Sequence, residues 1–129
     1  MLGLFVGLVA LAAVVFLVLV RSMRRRRERE AWLSLAARYP ASEAGVDGRR
    51  FPYPDGQGEA VVGDEGFRAH PSPALAPIEA PWGEVQSVRS GPGGGLNVRL
   101  HGGVVLLPGA ASATVFSIME RRARGRAAV

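Results

Sequence analysis

Leu96-Asn97-Val98-Arg99-Leu100-His101-Gly102-Gly103-Val104-Val105-Leu106-Leu107-Pro108 is the stretch whose reading decides the fold. From Asn97 to His101 polar and apolar residues alternate, the period of a strand with one face buried and one face wet. Gly102-Gly103 then supplies the positive φ that a tight hairpin turn requires. Val104 to Leu107 is a second apolar run, closed by Pro108-Gly109. Two short strands joined by a tight turn place this part of the chain in a β-domain.

Working outward from the hairpin, further short apolar runs punctuated by Gly and Pro extend the pattern. Candidate strands are Arg50 to Tyr53, Glu59 to Gly63, Gly66 to His70, Ile78 to Trp82 and Glu84 to Arg89. Asp64-Glu65-Gly66 is a turn signal, and Gly91-Pro92-Gly93-Gly94-Gly95 reads as a flexible loop between strands. Downstream of the hairpin, Ala111, Val115, Ile118, Met119 and Arg122 follow helical spacing, with Phe116 beside the stripe. Arg121, Arg122 and Arg124 suit a helix C-terminus, where the dipole favours cations, and Gly125 is expected to end the helix.

Upstream, Pro40-Ala-Ser-Glu-Ala-Gly-Val-Asp-Gly48 is turn-rich, and before it the composition changes. Trp32, Leu35, Ala36 and Tyr39 fall at i, i+3, i+4 and i+7, one face of a helix from Arg24 to Tyr39 that Pro40 ends. That face either lies in the headgroup region, where Trp favours the interface, or packs on the domain that follows.

Leu2 to Val20 is nineteen residues without a charge or a hydroxyl. At about 1.5 Å per residue it nearly spans the ~30 Å hydrocarbon layer, so it is expected to be a transmembrane helix. A cleaved signal peptide should begin with positive charge and end in a small-residue site. This run has no charge before it and ends Val18-Leu-Val-Arg-Ser-Met-Arg24, so cleavage is not expected. Arg21, Arg24, Arg25, Arg26 and Arg27 follow the run directly. Positive charge on that side implies an N-terminus outside and the remainder in the cytoplasm, at the inner (plasma) membrane. The same cluster can attract anionic headgroups at about 1 kcal/mol per Arg. Topogenesis alone also accounts for it. Gly3 and Gly7 form a G-x-x-x-G pair, read either as a homo-oligomer contact or as ordinary glycine of a membrane helix.

Charge accounting excludes a class of function. The net charge is +5 and the pI near 11.2, with all 16 basic residues arginine. Residues 21 to 38 hold seven Arg against Glu28 and Glu30, whereas residues 39 to 120 hold five Arg against nine acids. A nucleic-acid domain carries its positive field on the folded surface. Here the field belongs to the membrane flank and the tail, so no nucleic-acid partner is expected. With no cysteine, disulfides and thiolate metal sites are excluded.

The order of these runs resembles a family. Gly66-Phe-Arg-Ala69, Ile78-Glu-Ala-Pro-Trp-Gly-Glu-Val85, Leu96-Asn-Val-Arg-Leu100, Val104-Val-Leu-Leu-Pro108 and the closing helix look like a bacterial pleckstrin-homology-like (PH-like) or GRAM-like domain. More narrowly, Trp32-Leu-Ser-Leu-Ala-Ala-Arg-Tyr39 and Pro81-Trp-Gly-Glu84 are similar to motifs of small uncharacterised bacterial single-pass membrane proteins. The chain departs from that pattern at Arg68 and His70 and in the Pro-rich stretch 71 to 81. The resemblance implies an α+β fold: a transmembrane helix (1–21), a basic juxtamembrane amphipathic helix (22–40), a small PH-like β-roll or barrel capped by a C-terminal helix (41–124), and a tail (125–129). It brings no catalytic residues.

His101-Gly102-Gly103 resembles the oxyanion segment of some esterases, but no G-x-S-x-G elbow is present. The glycine-rich loop lacks the Lys of a Walker A motif. His70 and His101 have no metal-ligand spacing, so neither a metal nor a cofactor is expected. Trp82 reads as a core anchor and Trp32 as a packing or interaction residue. Three functions are compatible with these residues: a membrane-anchored non-catalytic module binding an unidentified protein, a module associating with anionic lipid through the Arg collar, and, least supported, an enzyme.

Overall fold

The computed structural model describes residues 2–54, 56–91 and 94–127. The chain divides into two compact units, Met1–Ala31 and Trp32–Val129.

Helix α1 (Leu2–Arg38) is 37 residues long and crosses the boundary without a break. The apolar run, the arginines and the Trp32 face are thus parts of one helix. It is long and apolar enough to cross a membrane, and every described side chain from Leu2 to Ala31 is exposed. Pro40 disfavours helical geometry at Tyr39, and the helix stops at Arg38, whose charge suits the negative end of the dipole.

The unit Trp32–Val129 is α+β, with two antiparallel meanders. Strands β1 (Arg49–Pro52), β2 (Glu59–Val62), β3 (Gly66–His70) and β4 (Ile78–Pro81) form the first sheet in chain order. A single 3₁₀ turn, Trp82–Glu84, leads to β5 (Ser87–Ser90), β6 (Leu96–Leu100) and β7 (Gly103–Leu107), the second sheet. A further 3₁₀ turn, Gly109–Ala111, opens into helix α2 (Ser112–Ala127).

Register sorts the side chains. Across the first sheet, Phe51, Ala60, Ala69 and Ile78 lie in one cross-strand row, and all four are buried. The adjacent row, Arg50, Val61, Arg68 and Glu79, faces the other way. Arg68 therefore fits its strand, because the period of two puts it on the outer face. In the second sheet Val98 and Val105 pair inward, while Arg99 pairs with Val104 outward. The core is closed by Ala111, Val115 and Ile118 of the C-terminal segment and by Leu35 and Ala36 of α1.

The structure differs from four local expectations. The strand expected from Ile78 to Trp82 stops at Pro81, and the one expected from Glu84 begins at Ser87. Between them the Trp82 indole turns into the core, 5.2 Å from the Phe67 ring, and donates a 2.7 Å hydrogen bond to the Gly63 carbonyl. Satisfying that buried N–H takes the backbone out of the strand. In the β6–β7 turn only Gly102 has positive φ (100°), while Gly103 pairs with Leu100 as the first residue of β7. A Cβ at Gly103 would sit 3.4 Å from the Leu35 side chain, an ordinary packing contact, so the turn lies directly against α1. Finally, α2 does not end at Gly125 but runs to Ala127. One glycine costs a helix only about 1 kcal/mol relative to Ala, too little to stop it. In the loop expected at Gly91–Gly95, the Gly91 N–H donates to Gly95 O at 2.7 Å; Pro92 and Gly93 lie outside the described residues.

Candidate functional site

The arginines after the apolar run are placed by helical geometry, which separates them into two groups. Arg24 reaches Glu28 one turn on at 3.6 Å, an exposed i, i+4 pair. Arg21, Arg25 and Arg26 instead line a surface groove of about 520 Å³ together with Val18, Ser22 and Arg29. Arg27 is exposed and does not line it. Arg29, outside the expected cluster, belongs to the groove because it follows Arg21 and Arg25 at i+8 and i+4; that spacing is present in the sequence as a signal.

Trp32 and Trp82 have different roles. Trp82 is 2% exposed and takes part in the core alone. Trp32 is half-buried against the core, and its Nε1 donates a 2.7 Å hydrogen bond to the Ala76 carbonyl oxygen. The face Trp32, Leu35, Ala36 and Tyr39 is thus turned to the domain, and Arg38 Nη1 adds a 3.4 Å bond to the His101 carbonyl. Gly3 and Gly7 have open space around them, with nothing within 4 Å of a Cβ built at either.

One concavity was not legible in the sequence. Pro40, Gly45–Asp47, Asp64–Gly66 and Glu79–Pro81 surround about 580 Å³, with four carboxylates at the rim. It forms because the chain after α1 runs beside β4: Pro40 bridges to Ile78, and the Glu79 N–H donates to Tyr39 O at 3.1 Å. Two of the carboxylates are engaged within the domain. Glu79 accepts from the Ser42 N–H and hydroxyl, each at 2.9 Å, and Asp64 meets Arg121 at 3.3 Å. These contacts tie the 40–47 segment and α2 to the first sheet.

His70 ends β3 and His101 sits in the β6–β7 turn. Among the described residues no group of three or more His, Cys, Asp or Glu converges to hold a metal ion. Compared with known proteins, the chain matches no family model, no curated protein and no solved structure.

Proposed function

We propose that the chain is a bitopic inner-membrane protein, N-terminus outside, that presents a PH-like domain to the cytoplasm as a non-catalytic interaction module. The observation that carries this reading is the make-up of one uninterrupted helix. α1 contains in order an exposed apolar run, an arginine-rich stretch, and a last turn whose Leu35 and Ala36 are buried in the domain core. Left in water, Leu2–Val20 would forgo burial at about 25 cal/mol per Å² of apolar surface. A bilayer accepts that surface, and a helix meets its own backbone hydrogen bonds there. Arginines on one side only then set the orientation.

A four-stranded meander, a three-stranded meander and a closing helix, in that order, support the PH-like or GRAM-like reading. Support for a non-catalytic role comes from the sequence, which has neither a nucleophile elbow nor a Walker A loop. The second reading, anionic-lipid association through the Arg collar, is favoured by the collar's position directly after the apolar run.

An N-terminal signal sequence meets the same criterion of helix length and apolarity as this run, and experiment separates the two. Alkaline carbonate extraction followed by mass determination should find the full 13.6 kDa chain in the membrane pellet. A shortened soluble chain would identify a cleaved signal instead. Cross-linking in native membranes then tests the module: a discrete partner joined to the Trp32–Val129 unit is expected, and turnover of a small molecule by the purified chain would contradict the proposal.

A further inference from the structure

We infer that the groove lined by Val18, Arg21, Ser22, Arg25, Arg26 and Arg29 is a binding site for the phosphate headgroup of an anionic phospholipid. This rests on the membrane reading above and assigns the lipid contact to one face of α1 rather than to a uniform collar.

The face has the chemistry of that ligand. Arg21, Arg25 and Arg29 repeat every four residues, placing successive residues about 6 Å apart along the axis on one face. Ser22 and Arg26 form a second row with the same spacing. A guanidinium presents a planar fork of donors that matches phosphate oxygens in bidentate fashion. None of the four arginines is in an ion pair among the described residues, so their donors are uncommitted. On the far side, Arg24 is already paired with Glu28.

The other end of the groove decides the source of the phosphate. Val18 belongs to the apolar run, so one concavity offers hydrocarbon at one end and guanidinium groups at the other. A phospholipid has the same polarity along its length: acyl chain against Val18, phosphate against the arginines. A free phosphate or a nucleic-acid backbone has no use for the valine. Nucleic acid is disfavoured further by the excess of acids over Arg in residues 39 to 120.

The test uses the full chain in phosphatidylcholine nanodiscs containing a small fraction of phosphatidylglycerol, with retained lipids counted by native mass spectrometry. Two variants remove the same charge: Arg25→Gln/Arg29→Gln on the groove, and Arg24→Gln/Arg27→Gln off it. Both lie outside the Trp32–Val129 unit, so the domain fold is preserved in each. The native chain should retain phosphatidylglycerol preferentially. The groove variant should lose on the order of 30-fold of that preference, and the off-groove variant should keep most of it. Equal losses in the two variants would overturn the groove while leaving the membrane reading intact. Displacement of the lipid by millimolar glycerol phosphate would overturn the lipid as its source. A native chain that does not enter nanodiscs would overturn the membrane reading and this inference with it.

Discussion

The indole Nε1 of Trp32 donates a 2.7 Å hydrogen bond to the carbonyl oxygen of Ala76, 44 residues away in sequence. That bond fixes the last turns of α1 to the loop before β4, and Leu35 and Ala36 continue the attachment into the core. The compact unit Trp32–Val129 includes these last turns of α1.

Removing the bond without removing the ring isolates its contribution. Trp32→Phe should lower the stability of the domain by about 1 kcal/mol, the net value of a hydrogen bond of this kind. Thermal unfolding of the full chain in detergent, followed by near-UV circular dichroism, measures it. An unchanged midpoint would mean that the bond contributes nothing.

Neighbouring leucines of the same helix should behave differently. Leu35 is 3% exposed and Leu33 is 47% exposed. Leu35→Ala should cost about 2–5 kcal/mol by opening a cavity against Gly103. Leu33→Ala should stay within about 0.5 kcal/mol. Chemical denaturation of the two variants side by side decides it, and similar losses would contradict this packing.

Fragments test the boundary. A fragment of residues 32–129 should give a cooperative unfolding transition, whereas one of residues 40–129 lacks Trp32, Leu35 and Ala36 and should melt earlier or not cooperatively. Coincident transitions would show that the α1 turns are dispensable.

Gly125 offers a test with a definite sign. It lies within α2, its φ is not positive, and nothing crowds a Cβ there. Gly125→Ala should therefore raise helix content and stabilise α2 by up to about 1 kcal/mol. A glycine terminating the helix at positive φ would give the opposite sign, so a destabilised variant would restore the shorter helix.

Much of this architecture was legible because short-range periodicity encodes it. Alternation at Asn97–His101 marks β6, and helical spacing at Val115 and Ile118 marks the buried face of α2, with Ala111 one turn earlier in the 3₁₀ turn. What escaped depends on distant partners. Trp82 leaves its strand because its N–H must reach Gly63, and the acid-rimmed concavity exists only where Pro40 meets Ile78. The arginine groove falls between these cases: Arg21, Arg25 and Arg29 announce a face by their spacing, while counting charges alone treats them as one cluster with Arg24 and Arg27.

The central claim, an anchor formed by Leu2–Val20 with the domain on the cytoplasmic side, is tested most directly by paired reporter fusions after Val129. A reporter that is active only in the cytoplasm should be active there, and one that is active only in the periplasm should be silent. The reverse pattern would contradict the orientation. Recovery of the fusion as a soluble protein shortened at its N-terminus would contradict the anchor itself.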